Sequence, residues 1–250
     1  MKLQNKVAVV TGGGSGLGRE FCIQMAHEGA KIVVADINKK NGEETVKLIE
    51  AAGGKAYCFE INVVKTEHIN NLIASVLEVF GTIDILCNNA GITGERTKCH
   101  QVTEDSWDTV LEVNLKSIFL MSKAIIPIMI KQGGGVIINT ASASGIIASA
   151  AGVEYTAAKH GVIGLTKQLS YEYGHEGIRV VAIAPGVIKT PLTKQFSNED
   201  GPFHQLTMNA PAGRYGEPIE IAKVVTFLAS KDASFIHGHV IPIEGGSTIL

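Results

Sequence analysis

Short runs of β-branched and other apolar residues recur along the chain, and longer segments with helical periodicity separate them. The short runs are typical of buried strands: KVAVV, KIVVAD, KAYCFEI, IDILCN, GVIINT, IRVVAIA and HVIPI. Helices are predicted for LGREFCIQMAHEG and for the stretches from about Glu104 to Lys131 and from about Val153 to Gly174. Strands that alternate with helices predict a parallel sheet with helices on both faces, whose ligands bind at the carboxyl ends of the strands.

With 250 residues, of which 45% are hydrophobic and 28 are glycine, the chain is long enough for one large α/β domain with a well-buried core. It contains no Ser/Pro-rich linker, charge block or repeat that marks a boundary, so we predict a single domain over residues 1–250. The net charge is −2 and the basic residues are scattered, which argues against a nucleic acid or an anionic membrane surface as partner. The composition therefore favours a small-molecule ligand.

The amino-terminal run MKLQNKVAVVTGGG contains too few apolar residues for a signal peptide, and we identify no run of about 18 apolar residues that would cross a membrane. We therefore expect a cytoplasmic protein. The four cysteines lack CxxC or Cys/His ligand spacing, so the sequence predicts neither a disulfide framework nor a metal site. Cys22, Cys58 and Cys87 lie in apolar runs and are expected to be small core residues.

A glycine-rich loop, TGGGSGLG over residues 11–18, follows the first predicted strand and precedes a predicted helix. Glycines allow the backbone to approach a pyrophosphate, which the amides at the helix N-terminus stabilise. Asp36 ends the next strand, eighteen residues after Gly18, where a carboxylate can accept hydrogen bonds from ribose hydroxyls. The same carboxylate would repel the 2′-phosphate of NADP, and Ser15 and Ile37 stand where basic residues could bind that phosphate. The sequence therefore predicts a dinucleotide site that prefers NAD.

Ser142, Tyr155 and Lys159 form a second pattern, in the run INTASASGIIASAAGVEYTAAK. Residues four apart on a helix share one face, so the Lys159 ammonium can lie beside the Tyr155 phenol and lower its pKa towards neutrality. Ser142 would then hydrogen-bond the reacting oxygen. Because a Tyr and a Lys four residues apart also occur on ordinary solvent-exposed helices, the pattern gains its meaning from the dinucleotide site upstream.

Together these motifs resemble the classical short-chain dehydrogenases/reductases over essentially the whole chain. The resemblance rests on TGGGSGLG at 11–18, NNAG at 88–91, Asn114, Ser142, YTAAK at 155–159, Pro185 and Gly186. It implies a Rossmann-like, doubly wound, mostly parallel seven-stranded sheet with helices on both faces. It also implies a nicotinamide cofactor and the reversible oxidation of an alcohol to a carbonyl.

The resemblance also implies a role for each catalytic position. Tyr155 would be the general acid/base on the substrate oxygen, Lys159 would lower the pKa of Tyr155 and hold the nicotinamide ribose, and Ser142 would position the oxygen. Asn114 would hold a water in the proton path, although it could equally be a polar helix residue bonded to backbone. Residues along the loop and the strand ends would contact the cofactor: Gly12, Ser15, Gly16, Leu17, Gly18, Asp36, Ile37, Asn62, Val63, Asn89, Ala90, Gly91, Tyr155, Lys159, Pro185, Gly186, Ile188 and Thr190. Asn62 replaces a common aspartate and could still accept a hydrogen bond from the adenine amino group.

Substrate specificity is expected in a lid at about 190–213, where Phe196, Leu206 and Met208 offer apolar cover and His204 is expected at the surface because no partner is evident. The leading hypothesis is an NAD-dependent secondary alcohol dehydrogenase or ketone reductase. One alternative is a 3-oxoacyl thioester reductase, against which Asp36 and the near-neutral charge count. Others are a non-catalytic dinucleotide-binding redox sensor and a nucleotide-sugar epimerase. The apolar surplus of the long helical stretches predicts that a partner subunit covers it. The family resemblance implies that the assembly is a homotetramer.

Overall fold

The computed structural model of the chain describes residues 1–194 and 201–249. Seven strands form one sheet: β1 (Val7–Thr11), β2 (Lys31–Asp36), β3 (Lys55–Glu60), β4 (Ile85–Asn88), β5 (Gly135–Thr140), β6 (Ile178–Pro185) and β7 (Val240–Ile243). Their order is β3-β2-β1-β4-β5-β6-β7, and every neighbouring pair is parallel. The predicted seven-stranded Rossmann-like sheet is confirmed, and within the described residues it is parallel throughout.

Nine helices are present among the described residues: α1 (Gly16–His27), α2 (Lys39–Ala51), α3 (Thr66–Phe80), α4 (Glu104–Leu111), α5 (Ser117–Lys131), α6 (Val153–Tyr173), α7 (Pro191–Lys194), α8 (Pro202–Asn209) and α9 (Pro218–Ala229). A π-helical segment, Glu112–Lys116, joins α4 to α5 and makes the stretch Glu104–Lys131 one continuous helical rod.

The sheet is buried on both faces because successive residues of each central strand face opposite layers. In β1, Ala8 and Val10 pack with α1 and α9, whereas Val7 and Val9 pack with α3 and α5. This alternation explains why the strands read as continuous apolar runs. It also confirms the prediction of helices on both faces.

The expectation that no segment is long and apolar enough to cross a membrane is wrong for Glu104–Lys131. This stretch has 28 residues and a mean hydropathy of 1.6 over its most apolar window. Met121, Ile125 and Met129 from this stretch are at most 1% exposed and belong to the core against the sheet. A buried core helix of a globular domain meets the same length and composition criterion, so the stretch is weak evidence for a membrane.

Two of the three cysteines expected in the core are there. Cys22 and Cys87 are buried, but Cys58 is half-buried because β3 is the edge strand of the sheet. The apolar run around Cys58 does not reveal that its strand lacks a neighbour on one side.

The chain reverses its direction of winding at β1, which pairs with β2 on one side and with β4 on the other. Helices that leave the sheet in opposite directions open a crevice at this point, at the carboxyl ends of the strands. The predicted functional residues follow these ends: the glycine loop after β1, Asp36 at the end of β2, the NNAG run from the end of β4, and Ser142 just after β5. The topology therefore gathers distant motifs along one edge.

Candidate active site

The glycine loop is packed too tightly for side chains at several positions. Gly12 has φ +64°, and a Cβ there would lie 3.0 Å from the Cα of Ala90. A Cβ on Gly18 would overlap the carbonyl oxygen of Gly12, and one on Gly14 would lie 2.8 Å from the carboxylate of Asp36. Helix α1 begins at Gly16, so the bare backbone leads directly into a helix N-terminus, as a pyrophosphate site requires.

Asp36 lies beside this loop and is held by backbone amides. Its Oδ2 accepts a hydrogen bond from the Gly14 amide at 2.8 Å, and its Oδ1 accepts one from the Asn38 amide at 2.8 Å. Each carboxylate oxygen has a further lone pair, so ribose hydroxyls can still bind. The neighbouring Ile37 side chain is 67% exposed. The loop and Asp36 therefore fit the adenosine half of a dinucleotide.

Two residues outside the predicted site fix these segments. Arg19 in α1 donates from Nη2 to the Gly14 carbonyl at 2.5 Å and from Nε to Thr45 Oγ1 at 3.1 Å. Thr11 Oγ1 accepts from the amides of Asn89 at 3.0 Å and Ala90 at 3.1 Å. Arg19 could have been predicted from the sequence because it directly follows the glycine loop. The contact of Thr11 could not, because it joins residues far apart in the chain.

The remaining cofactor positions lie around the same edge. Thr190 packs near the loop, since a Cβ on Gly16 would lie 3.4 Å from the Thr190 Cβ, and Ile188 is buried and bridges to Gly216. The Asn62 amide oxygen accepts from the Val64 amide at 3.1 Å, so one of its lone pairs serves a local turn. Ser15 precedes α1 and Leu17 packs on the core, while Val63 is buried beside the end of β3.

Tyr155 and Lys159 lie one turn apart at the start of α6, as the spacing predicts. Lys159 Nζ is 5.5 Å from the centroid of the Tyr155 ring and donates to the Thr140 carbonyl at 2.7 Å. Ser142 lies at the start of a short turn, where its Oγ accepts from the Ser144 amide at 3.1 Å. Lys159 is 3% exposed and Ser142 is 9% exposed, so both groups are largely shielded from water.

Burial changes the proton affinities of this pair. It raises the pKa of the Tyr155 phenol above its usual value, while a hydrogen bond with Ser142 acts in the opposite direction. It lowers the pKa of Lys159 to about 8. The tyrosine pKa therefore moves upwards here, in contrast to the lowering expected from the Tyr-Lys spacing. The difference arises because burial disfavours a phenolate.

Asn114 is fully buried in the π-helical segment, and backbone groups satisfy its side chain. Its Oδ1 accepts from the Ile92 amide at 2.8 Å and its Nδ2 donates to the Ile92 carbonyl at 2.9 Å. Gly91 lies between Asn114 and Lys159. A Cβ on Gly91 would be 3.1 Å from Asn114 Oδ1 and 3.8 Å from Lys159 Nζ. The interpretation of Asn114 as a backbone-bonded residue describes its side chain, which ties the loop after β4 to the π-helical segment between α4 and α5.

Tyr155 and Ser142 line a cavity of about 80 Å³, beneath Phe203 of helix α8. The cavity shares Ser142, Ser144 and Val187 with a second cavity of about 150 Å³, into which Leu206 faces. Of the lid residues expected to give apolar cover, Leu206 lines a cavity, whereas Met208 is 39% exposed. Phe196 falls outside the described residues.

His204 differs from its predicted surface position. It is half-buried, and its Nδ1 lies 3.3 Å from the hydroxyl of Tyr215, eleven residues later. The sequence alone does not reveal Tyr215 as the partner of His204, because a turn of the chain between them brings the two side chains together.

Residues that follow β7 close the floor of the larger cavity. A Cβ on Gly186 would lie 2.8 Å from the Glu244 Cα, and the Ala212 amide donates to the Gly245 carbonyl at 2.9 Å. A Cβ on Gly246 would lie 2.6 Å from the Pro211 ring. The carboxy-terminal segment is thereby packed against the end of the lid region.

The fold and this edge of the sheet define an oxidoreductase of the Rossmann type, in which a dinucleotide site adjoins a Tyr-Lys pair whose lysine is buried. A family model described as Enoyl-(Acyl carrier protein) reductase matches residues 12–248. The chain belongs to the short-chain dehydrogenase/reductase family, whose members bind a nicotinamide dinucleotide.

Similar proteins cover the chain from end to end. A 3-oxoacyl-[acyl-carrier-protein] reductase from Thermotoga maritima is 39% identical and covers 100% of both chains. A cyclohexanol dehydrogenase from Acinetobacter sp. strain SE19 is 39% identical over 99% of this chain and 96% of that protein. The crystal structure of a levodione reductase superposes with a TM-score of 0.95 at 37% identity and 99% coverage of each chain.

Proposed function

We propose that the chain reversibly transfers a hydride between NAD(H) and a secondary alcohol or ketone, with Tyr155 as the general acid/base. The observation that carries this proposal is the shared cavity wall of Ser142 and Tyr155, with Lys159 buried behind it. The names of the cyclohexanol dehydrogenase and levodione reductase relatives support an alcohol or ketone substrate. The three residues supply the proton chemistry that such a reaction requires.

The cofactor would be held by the glycine loop at its pyrophosphate, by Asp36 at its adenosine ribose and by Lys159 at its second ribose. When bound, the nicotinamide supplies or accepts the hydride. We assign NAD rather than NADP because Asp36 lies against the Gly14 amide, where a carboxylate would repel a 2′-phosphate. Ile188 and Thr190 follow β6 and would adjoin the nicotinamide end.

Ser142 and Tyr155 would act on the same substrate oxygen. In ketone reduction, the Tyr155 hydroxyl donates a proton to that oxygen while the Ser142 hydroxyl donates a hydrogen bond that stabilises the developing charge. The raised pKa of Tyr155 keeps the phenol protonated at neutral pH, which suits this direction. In alcohol oxidation the phenolate must form, and the charge of Lys159, whose pKa is about 8, would stabilise it.

A 3-oxoacyl thioester reductase is the second candidate, because the Thermotoga maritima relative bears that name at 39% identity. The same acid/base residues would serve that reaction, so the distinction lies in the substrate. Two further expectations, a homotetramer and a cytoplasmic location, stay predictions. A redox sensor without turnover is disfavoured, because a pure binding protein needs no acid/base tyrosine at its cavity.

Tyr155→Phe tests the proposed function. The variant keeps the ring but lacks the proton, so we expect at least a hundredfold loss of kcat, on the order of what a general acid contributes, with NADH binding retained. Turnover is followed by NADH absorbance over a panel of secondary alcohols and ketones, and binding by NADH fluorescence.

Tyr171→Phe is the matched control, since Tyr171 lies on the same helix and is 83% exposed. Wild-type turnover by Tyr155→Phe would refute the acid/base role. Tight NADH binding without turnover of any substrate by the wild type would instead favour the sensor.

A further inference from the structure

A buried glutamate next to the catalytic tyrosine anchors the turn that follows the NNAG run. Glu154 is fully buried, and its Oε1 accepts a hydrogen bond from the Glu95 amide at 2.8 Å. Gly94 packs so closely on this carboxylate that a Cβ would overlap Oε1, and a Cβ on Gly152 would lie 3.1 Å from Oε2. The turn at 94–96 is therefore fastened to the same helical turn that carries Tyr155.

This anchoring places Arg96 on the wall of the cavity that Tyr155 and Ser142 line. Arg96 has φ +59°, a conformation that a non-glycine residue adopts only where the surroundings impose it. It is half-buried, although Glu95 and Thr97 on either side are exposed. Among the described residues that line this cavity, Arg96 is the one with a charged side chain.

The guanidinium is oriented by its neighbours. It lies over the ring of Phe203, with its central carbon 4.6 Å from the ring centroid, and its Nε donates to the Ala150 carbonyl at 3.3 Å. Stacking uses the face of the guanidinium, whereas its N–H donors lie in its plane.

We propose that Arg96 is a specificity-determining residue that binds a carboxylate of the substrate, so that the preferred substrates are oxo acids and the corresponding hydroxy acids. This inference rests on the proposed function, because it places the carboxylate in the cavity where Tyr155 meets the reacting oxygen. Partial burial lowers the pKa of Arg96, the sign of a desolvated cation, and a desolvated guanidinium binds a carboxylate more strongly than one in water.

The test compares oxo acids with their neutral methyl esters. Pyruvate, acetoacetate and levulinate place the carboxylate at three distances from the ketone, and each methyl ester removes the charge with little change in shape. For the preferred chain length we expect the wild type to reduce the acid with a kcat/KM at least about tenfold above that of the ester. Arg96→Met should abolish this preference through a rise in KM, and Arg96→Lys should restore part of it.

Lys98→Met is the matched control, because Lys98 is exposed and its loss changes the net charge by the same amount. Butanoate and butanamide, which do not react, are titrated into the NADH-loaded protein to measure binding apart from turnover. Tighter binding of butanoate that depends on Arg96 would support the proposal.

Equal kcat/KM values for acids and esters in the wild type would overturn the inference and leave the proposed function intact. An equal loss of kcat/KM for acids and esters in Arg96→Met would also overturn the inference, because Arg96 would then act only through its contact with Phe203. A preference for neutral acyl thioesters would likewise overturn it and favour the second candidate. Absence of turnover with every ketone, despite NADH binding, would refute the proposed function and this inference with it.

Discussion

Burial governs the charge of Lys159. Its ammonium is 3% exposed and bonded to one carbonyl, and burial lowers its pKa from 10.5 to about 8. Below pH 8 both the folded and the unfolded chain carry the charge, and the folded state bears its desolvation cost. Between pH 8 and 10.5 only the unfolded chain keeps the proton, so the contribution of this residue to stability rises with pH across that window.

Lys159→Met should remove this pH dependence. The free energy of unfolding of the wild type minus that of the variant should rise by roughly 3 kcal/mol between pH 8 and 10.5. Urea denaturation at a series of pH values measures the difference. Lys98→Met, at an exposed lysine, controls for the loss of one lysine at each pH. A flat difference for Lys159→Met would mean that its pKa is not lowered.

Asp36 should decide between the two dinucleotides. Asp36→Ala removes the charge that would repel the 2′-phosphate, so the ratio of kcat/KM for NADP to that for NAD should rise at least about tenfold. The substitution also removes the acceptor of the Gly14 and Asn38 amides, which predicts weaker binding of NAD itself. Asp36→Asn removes the charge but keeps one acceptor oxygen. It therefore separates the effect of the charge from the effect of the hydrogen bonds that hold the loop. An unchanged cofactor ratio in Asp36→Ala would exclude the selective role.

Single residues were predictable from sequence where their positions depend on local spacing. Tyr155 and Lys159 share one helical turn, and Asp36 ends a strand, so short-range geometry places them. Arg96 and Glu154 were missed because their environment depends on the packing of a loop after β4 against the start of α6, 59 residues apart at the Glu95–Glu154 hydrogen bond. Sequence spacing carries no information about such contacts.

Among the elements, the unit of β1, glycine loop and α1 depends on close backbone approach. Gly18→Ala would force a Cβ onto the Gly12 carbonyl oxygen, so we expect a loss of about 1–3 kcal/mol in the free energy of unfolding and a higher KM for NADH. Thermal denaturation with and without NADH measures the stability, and initial rates at a series of NADH concentrations measure the KM. The loss should be partly recovered when the cofactor is present at saturation, because binding stabilises the native loop.

Gly164→Ala provides the matched helix substitution. Gly164 lies within α6, and a Cβ there would meet nothing within 4 Å among the described residues. Alanine should therefore stabilise the protein by about 0.5–1 kcal/mol through helix propensity and lower unfolded-state entropy. Equal effects of the two substitutions would show that close packing of the loop is unimportant.

The elements themselves were largely predictable, because apolar runs and helix periods are local signals. All seven strands occur where the runs predicted them, and α6 begins at Val153 as expected. The π-helical segment at Glu112–Lys116 was not predictable, since its residues continue the pattern of an ordinary helix. Its buried Asn114 is bonded to the backbone of Ile92, a partner that the helical pattern does not specify.

At the scale of the whole molecule, the helical rod leaves apolar surface exposed. Phe119 on α5 is 45% exposed and lines a groove with Leu115 and Leu165. We expect this surface to be covered by another copy of the chain, so sedimentation should give a mass near four times that of the 26.5 kDa chain. Phe119→Asp should reduce the assembly, whereas Val79→Asp, at a 50% exposed position on α3, should not. A monomeric mass for the wild type would refute the homotetramer.

The carboxy-terminal segment carries a practical consequence. Glu244 lies under Gly186, and Gly245 and Gly246 hold the chain near Pro211, so the final residues serve as part of the cavity floor. A purification tag or fusion partner attached there would press on the substrate side of the enzyme. The amino-terminal segment leads into the start of β1, at the opposite edge of a parallel sheet from Ser142 and Tyr155. Protein prepared for substrate screening should therefore carry its tag ahead of β1.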